Sequence, residues 1–331
     1  MSRPMAMSGR IFIQEVVTRD GFQNEPEWIP TSDKIALIND LSHSGISKIE
    51  VSSFVSPRAI PNLRDAREVF EGIERVPTVI YSALVPNLRG AEAAIAAGAD
   101  ELNFVVSASE THNLANMRMP TARSLAELRN VLALSGTARK PVNLTIATAF
   151  GCPFEGDQSP DRVFSMTESA MSWGAAGVTF ADTTGMAHPL QVARSVERFI
   201  AQFGRTPLTL HFHNTRGLGL ANVLAALQSG AVQFDTALGG LGGCPFAPGA
   251  TGNVCSEDVV HMLDIMAVET GVDLARMISL SRKLTALVGH DVPGQIIKAG
   301  RACDLHPPPV DVRDSLMRIG PPGSVQPANS N

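Results

Sequence analysis

The chain has 331 residues, of which 44% are hydrophobic and 18% are charged, and its formal net charge is −5 at pH 7. This balance can fill a sizeable core and excludes a largely disordered chain. Because lysines and arginines are scattered rather than clustered, the sequence also argues against nucleic-acid binding and against binding to a membrane surface. We therefore expect the partner to be a small molecule.

The N-terminus and the cysteines indicate the compartment. Residues 1–10 lack the apolar core of a signal peptide, and no apolar run in the chain is long enough to cross a membrane. The four cysteines, Cys152, Cys244, Cys255 and Cys303, show neither a disulfide framework nor a CxxC zinc spacing. These features predict a cytoplasmic protein in a reducing environment.

Short apolar runs of β-forming residues alternate with longer amphipathic segments along the chain. Eight runs are strand candidates, in chain order residues 11–17, 48–52, 78–84, 101–106, 142–148, 177–181, 208–213 and 233–237. Gly45, Gly98, Gly174 and Gly230 each come shortly before a strand, as expected where a helix ends at a glycine. Eight βα repeats predict the α/β class, as a (β/α)8 TIM barrel with a C-terminal extension. A doubly wound open sheet is the alternative, although no GxGxxG turn follows the first strand.

The repeat weakens from about residue 281, and the chain becomes rich in proline after Arg301. Such a composition buries too little apolar surface to order itself. We therefore predict a barrel domain with C-terminal helices over residues 8–303 and a flexible tail over residues 304–331.

Reactive side chains gather after the predicted strands, where TIM barrels carry their catalytic residues. In chain order these are Arg19 and Asp20 after the first strand, Glu50 and Ser53 at the end of the second, Asp182 at the end of the sixth, His211 and His213 at the end of the seventh, and Cys244 after the eighth. Residues distant in sequence are thus predicted to meet at one rim of the barrel.

One carboxylate and two imidazoles in this set can bind a divalent metal. His211 and His213 alternate on a strand and point the same way, Asp20 adds an anionic oxygen, and Asn253 can add an amide oxygen. A nitrogen and oxygen set without thiolate favours Mg or Mn with open positions for substrate, while zinc also accepts such ligands.

Most of these residues also have a purely structural interpretation. A His-x-His pair is by itself more often a partly exposed pair than a metal site, so Asp20 is needed to favour the metal. Glu50 is either a partner of Arg19 or a carboxylate at the rim, and Asp182 is either a site residue or a helix N-cap.

Cys244 follows a run of glycines in residues 239–246, GGLGGCPF. A glycine-rich loop after a strand can close over a substrate and deliver a proton donor. The alternative is a small buried apolar side chain, which we favour for Cys152, whose loop lacks the glycine run.

Five segments together resemble the 3-hydroxy-3-methylglutaryl-CoA lyase family, and the resemblance runs from about residue 11 to residue 271. They are RDGFQN at 19–24, EVSSFVSP at 50–57, AFGCP at 149–153, HFH at 211–213 and the glycine-rich stretch 239–253. The first and fourth are shared with a larger group of metal-dependent TIM-barrel enzymes that includes isopropylmalate and homocitrate synthases. The GGCPF loop is specific to the lyases.

The resemblance implies a carbon–carbon lyase that cleaves 3-hydroxy-3-methylglutaryl-CoA, or a close analogue, to acetyl-CoA and acetoacetate by retro-Claisen chemistry, with a place in leucine degradation. It implies these roles: metal binding for Asp20, His211, His213 and Asn253; stabilisation of the enolate by Arg19; proton transfer by Cys244; and orientation of the site by Glu50. For substrate binding we expect Arg19, Gln23, Ser53 and Asp182, and we expect a homo-oligomer, a dimer or a tetramer.

Two segments depart from the lyase pattern. Asn214 stands where the lyases more often carry Asp, and an Asn at this position resembles the synthases instead. Residues 287–295 do not resemble the usual lyase C-terminal region. The alternatives are therefore a lyase for citramalyl-CoA or a longer branched 3-hydroxyglutaryl-CoA, a synthase that condenses acetyl-CoA with a 2-oxo acid, and a non-catalytic barrel that keeps its metal.

Overall fold

A closed parallel barrel is the core of the computed structural model, which describes residues 9–243 and 252–313. Its strands, in chain order, are β1 (Phe12–Glu15), β2 (Lys48–Ser53), β3 (Ile80–Val85), β4 (Glu101–Ser107), β5 (Val142–Ala147), β6 (Gly177–Asp182), β7 (Leu208–Phe212) and β8 (Gln233–Thr236). Each strand pairs with its sequence neighbours, and β1 closes the ring on β8. The TIM-barrel prediction is confirmed, and the open-sheet alternative is wrong.

Helices surround the barrel and follow most of the strands. They are α1 (Thr31–Ser42), α2 (Ala66–Gly72), α3 (Leu88–Ala96), α4 (Glu110–Met117), α5 (Thr121–Ala138), α6 (Pro160–Ser172), α7 (Pro189–Phe203), α8 (Gly219–Gln228), α9 (Ser256–Ile265), α10 (Leu274–Val288) and α11 (Ile296–Ala299). A two-stranded hairpin, Gly151–Cys152 with Gly156–Asp157, follows β5. None of the helices in the described ranges is long and apolar enough to span a membrane.

Each predicted strand end lies within two residues of the observed one, and the two-residue differences are at the end of β1 and the start of β3. The strand stops at Glu15 because this side chain accepts the backbone N–H of Val17 at 2.9 Å and that of Leu238 at 3.0 Å. The chain then forms a π-helical turn, Val17–Gly21, of the kind that often marks functional sites. This turn holds both Arg19 and Asp20 in buried positions at the mouth of the barrel.

The interior of the barrel is polar, whereas branched apolar side chains usually fill a TIM barrel. Lys48 and Glu101 form an ion pair at 2.6 Å between β2 and β4. Asn103 and Asn143, on neighbouring strands, are joined by a hydrogen bond of 3.1 Å. The apolar core lies instead between the strands and the surrounding helices, where Phe104, like most of that layer, is fully buried.

The chain divides into two compact units, Met1–Ala299 and Gly300–Asn331. The first contains the barrel and all the helices named above. Within the second, the described residues 302–313 are exposed, and Leu305 retains 90% of its accessible surface. The predicted boundary at residue 303 and the flexibility of the tail stay predictions.

Candidate metal centre

Three buried side chains converge at the C-terminal mouth of the barrel. Asp20 comes from the turn after β1, His211 from β7, and His213 from the position just beyond β7. Their candidate ligand atoms all lie within 4.8 Å of one another. Nε2 of His213 is 3.1 Å from Nε2 of His211 and 3.5 Å from Oδ2 of Asp20. Nε2 of His211 is 4.0 Å from the same oxygen of Asp20. We call these three residues the metal-binding group, because they are the candidate site for a divalent cation.

The donor atoms of this group fit a divalent cation. Two ligands about 2.1 Å from one ion and at right angles to each other lie about 3.0 Å apart, close to the separation of the two Nε2 atoms. Asn253 donates its amide Nδ2 to Oδ2 of Asp20 at 2.6 Å and to the carbonyl of Leu241 at 2.9 Å. Its Oδ1 is buried and has no hydrogen-bond partner among the described residues. A cation bound by Oδ1 would satisfy this oxygen, which otherwise carries a desolvation cost.

Asp235 orients His211. It was not among the site residues predicted from the sequence. Its Oδ2 lies 3.2 Å from Nδ1 of His211, and the two residues are register partners on β8 and β7. Burial lowers the pKa of His211, but the hydrogen bond and charge of Asp235 outweigh this effect and raise it. A carboxylate on Nδ1 holds the imidazole so that Nε2 stays free for a metal. The sequence feature that could have indicated this role is an acidic residue within the apolar strand candidate 233–237.

Arg19 lies between two carboxylates at the edge of the metal-binding group. Its Nε donates to Oε2 of Glu50, and its Nη1 donates to Oδ1 of Asp20. Burial alone would raise the pKa of Asp20, but the charge of Arg19 and a hydrogen bond with His213 hold that pKa well below its usual range. Asp20 is therefore a carboxylate at neutral pH, which is the form that binds a cation.

Glu50 lies in the middle of β2, so its predicted place at the end of the strand is wrong. The strand continues as far as Ser53, since backbone pairing with β3 extends to Leu84. Of the two structural interpretations offered above, the structure supports the partnership with Arg19 rather than a carboxylate at the rim, because Glu50 is only 4% exposed.

Asp182 ends β6 beside the metal-binding group, with its carbonyl accepting the N–H of His213 at 3.3 Å. Its Oδ1 accepts the backbone N–H groups of Met186 at 2.7 Å and Ala187 at 3.1 Å, so this oxygen closes the loop before α7. The other oxygen is buried without a partner among the described residues. Burial raises the pKa of Asp182 to about 6.

The remaining predicted site residues are less closely tied to this centre. Ser53 is buried at the end of β2, and Gln23 is half-buried in the loop after the π-helical turn. Across residues 9–243 and 252–313, no hydrogen bond or ion pair joins either side chain to the metal-binding group. Cys244 lies outside the described residues, between Gly243 and Gly252.

The loop after β8 approaches the centre so closely that one position requires glycine. Gly242 has a φ of +119°, and a Cβ there would lie 2.3 Å from Nδ2 of Asn253 and 3.1 Å from Oδ2 of Asp20. We expect Gly242→Ala to displace Asn253 and to weaken Mn²⁺ binding by about 10- to 100-fold, as loss of a supporting contact does at other metal sites. Titration calorimetry with Mn²⁺ measures this change.

Gly289→Ala is the matched control for this substitution. Gly289 also has a positive φ, +75°, but a Cβ there meets nothing within 4 Å. Both variants therefore carry the backbone strain of a non-glycine residue in this region, and only the first adds a collision. Equal Mn²⁺ affinity in the two variants would contradict the close packing of Gly242 against the centre.

The two departures from the lyase pattern have structural roles near this centre. Oδ1 of Asn214 accepts the N–H of Gly219 at 2.9 Å at the start of α8, a role that needs only an acceptor and suits Asn or Asp equally. In the segment 287–295, the N–H of Gly294 donates to the carbonyl of Gly239 at 3.0 Å. His290 pairs with Glu25 at 2.6 Å. This segment thus connects the loops that follow β1 and β8.

Comparisons with known proteins find one family model and several relatives that match most of the chain. The model of the HMGL-like family matches residues 10–284. The hydroxymethylglutaryl-CoA lyase of Bacillus subtilis is 44% identical over 286 residues, which cover 86% of this chain and 96% of that protein. The (R)-citramalyl-CoA lyase of Chloroflexus aurantiacus is 41% identical over 300 residues, 88% of this chain and 95% of that protein. A solved HMG-CoA lyase from Acinetobacter baumannii, in complex with coenzyme A and 3-methylmalate, superimposes with a TM-score of 0.89 at 55% identity and covers 93% of this chain and 100% of that one.

Proposed function

The chain belongs to the HMGL-like family, and on that premise we propose that it is a divalent-metal-dependent lyase that cleaves the carbon–carbon bond of a 3-hydroxyacyl-CoA. The preferred substrate is 3-hydroxy-3-methylglutaryl-CoA, which would give acetyl-CoA and acetoacetate. The observation that carries this proposal is the buried metal-binding group of Asp20, His211 and His213, with the guanidinium of Arg19 hydrogen-bonded to Asp20.

The reaction requires three changes in the substrate. The tertiary hydroxyl gives its proton to a base, the adjacent carbon–carbon bond breaks as a ketone forms, and the released electron pair becomes a thioester enolate that takes up a proton on carbon. A divalent ion, Mg or Mn, would act as a Lewis acid that lowers the pKa of the hydroxyl. Asp20, His211 and His213 would hold that ion, with Asn253 as a further oxygen ligand.

Arg19 would stabilise the enolate. Its Nε and Nη1 are occupied by Glu50 and Asp20, and no hydrogen bond in the described part of the chain uses Nη2. The guanidinium is therefore held in one orientation and keeps donors for the negative charge that develops during cleavage. Preorganised donors of this kind act most strongly on the transition state, because they need no reorientation when the charge appears.

The other predicted residues complete the proposed site. We assign proton delivery to the enolate carbon to Cys244. Asp182 and Ser53 each keep one buried oxygen without a partner among the described residues, so both can receive polar groups of the substrate. Gln23 follows the π-helical turn and remains a proposed substrate contact, and Glu50 would act through Arg19.

Citramalyl-CoA is the second candidate substrate, because the similarity to the citramalyl-CoA lyase is almost as high as that to the Bacillus enzyme. A longer branched 3-hydroxyglutaryl-CoA is a further alternative. We also propose that the protein acts in the cytoplasm and in leucine degradation. Assembly as a homodimer or homotetramer stays a prediction.

The deciding experiment is a substrate panel. Protein stripped of metal with a chelator is supplied with Mg²⁺, Mn²⁺ or Zn²⁺ and with each thioester in turn, and acetyl-CoA is measured. We expect release from 3-hydroxy-3-methylglutaryl-CoA that requires added metal, and the highest kcat/KM identifies the substrate. If no thioester is cleaved, but free CoA appears from acetyl-CoA and a 2-oxo acid, the protein is a synthase. Inactivity in both assays would favour the non-catalytic barrel.

A further inference from the structure

Asn103 lies inside the barrel on β4 and contacts the carboxylate that holds Arg19. Its Nδ2 donates to Oε1 of Glu50 at 2.7 Å. Its Oδ1 accepts the hydroxyl of Thr145 at 2.7 Å and Nδ2 of Asn143 at 3.1 Å. Thr145 and Asn143 lie on the neighbouring strand β5, and Glu50 lies on β2, two strands away on the other side.

These contacts determine which way the amide points. If the amide of Asn103 were reversed, its NH₂ would face the NH₂ of Asn143, and its oxygen would face the carboxylate of Glu50. Asn143 cannot turn away easily, because its Nδ2 also donates to Oγ1 of Thr179 at 2.9 Å. Oε1 of Glu50 therefore receives the amide N–H of Asn103 from the barrel interior.

The two oxygens of Glu50 are thus held from opposite sides. Oε1 is bound by Asn103, and Oε2 accepts Nε of Arg19, whose Nη1 in turn donates to Asp20. A carboxylate bound at both oxygens cannot rotate without breaking one hydrogen bond. The line of contacts runs without interruption from the barrel interior to the metal-binding group.

We propose that Asn103 is a positioning residue for the cleavage reaction. By fixing Glu50, it keeps the guanidinium of Arg19 at the place where the enolate charge develops. The inference rests on the proposed function of Arg19. It does not make Asn103 a catalytic residue, since this side chain lies behind Glu50 rather than at the substrate.

A contribution to strand association alone does not account for these contacts. The ion pair between Lys48 and Glu101 already joins the side chains of β2 and β4 inside the barrel. The amide of Asn103 is half-buried, and it carries a desolvation cost that an apolar residue of similar size would avoid. What the amide supplies, and a leucine would not, is the donor to Glu50.

The test compares Asn103→Leu, which removes this donor, with Asn103→Asp, which turns an acceptor toward Glu50. We expect kcat for acetyl-CoA release to fall by about 10- to 100-fold in the first variant and further in the second, because positioning errors act on the chemical step. KM and the Kd for Mn²⁺ should stay within about twofold of the wild type, since neither the metal ligands nor uniform substrate binding is removed.

Gln14→Leu is the matched control. Gln14 also carries an amide in the barrel interior, but it donates to Oγ1 of Thr209 at 3.4 Å and to Oε1 of Gln233 at 3.3 Å, with no bond to Glu50. We expect its kcat to stay within about twofold of the wild type. An equal loss in Gln14→Leu and Asn103→Leu would show that any interior amide matters, and it would overturn the inference.

A double-mutant cycle separates positioning from general stability. In a Glu50→Ala background, Asn103→Leu should change kcat by less than about threefold, because the contact that it removes is already gone. The same loss in both backgrounds would overturn the inference, as would wild-type kcat in Asn103→Leu. A second measurement is independent of turnover: the ¹⁵N and ¹H shifts of Arg19 Nε should move in Asn103→Leu and not in Gln14→Leu. If the wild type cleaves no thioester, the proposed function fails, while these shifts still decide whether Asn103 positions Arg19.

Discussion

His211→Ala is expected to lower kcat by about 1,000-fold or more, because a metal that polarises a reacting oxygen contributes several kcal/mol and each 1.4 kcal/mol is a factor of ten. The substitution removes one of the three donors that lie within 4.8 Å of one another, and it leaves the carboxylate of Asp235 without its imidazole partner. The Kd for Mn²⁺, measured by calorimetry, should rise together with the loss of turnover.

Asp235→Asn is expected to change the Kd for Mn²⁺ less than His211→Ala does. The amide keeps the size of the side chain but weakens the hold on Nδ1 of His211, so we expect a loss of about 10- to 100-fold in metal affinity. His188→Ala is the control, because His188 is exposed at the start of α7, and its side chain accepts only a long hydrogen bond of 3.4 Å. Mn²⁺ affinity and turnover that both survive His211→Ala would rule out a metal at this group.

Cys244→Ala is expected to lower cleavage by about 100- to 10,000-fold, the range typical of a lost general acid. Residue 244 lies outside the described residues, but the chain on both sides of it reaches the site. Gly242 approaches Asp20 and Asn253 at the distances given above, and Asn253 bonds Asp20 directly. The described residues on either side of Cys244, Gly242 and Asn253, therefore both lie beside the metal-binding group, which supports the proposed role of Cys244.

Metal affinity should remain nearly intact in Cys244→Ala, since the thiol is not among the proposed ligands. Incorporation of deuterium from D₂O into the methyl group of acetyl-CoA reports proton transfer directly and should fall in parallel with kcat. Cys303→Ala, at an exposed position, is the control. Unchanged turnover in Cys244→Ala would remove this residue from the mechanism and leave the choice between lyase and synthase to the substrate panel.

Local patterns in the sequence were sufficient to predict the strands and helices of the barrel. Alternation of apolar strands with amphipathic helices predicted all eight strands, and the glycines before β2, β4, β6 and β8 indeed adopt positive φ, between +86° and +101°. These features can be predicted from the sequence because strand and helix periods, and the φ preference of glycine, are local properties of the chain. The convergence of Asp20, His211 and His213 could be expected for a related reason, since parallel strands of a barrel all end at one rim.

Other features depend on contacts between residues far apart in the chain. The partnership of Asp235 with His211, the interior position of Glu50 and the hydrogen bond from Asn103 to Glu50 connect separate strands through polar side chains. Such contacts leave no periodic trace, because an isolated polar residue in a strand has the same sequence signature whether it faces a ligand, a partner or solvent. The sequence by itself determined the eight βα repeats and the residue types at the ends of their strands. Only the tertiary structure decided which of those side chains meet and in what orientation, because burial and hydrogen-bond direction exist only once the strands have closed into a ring.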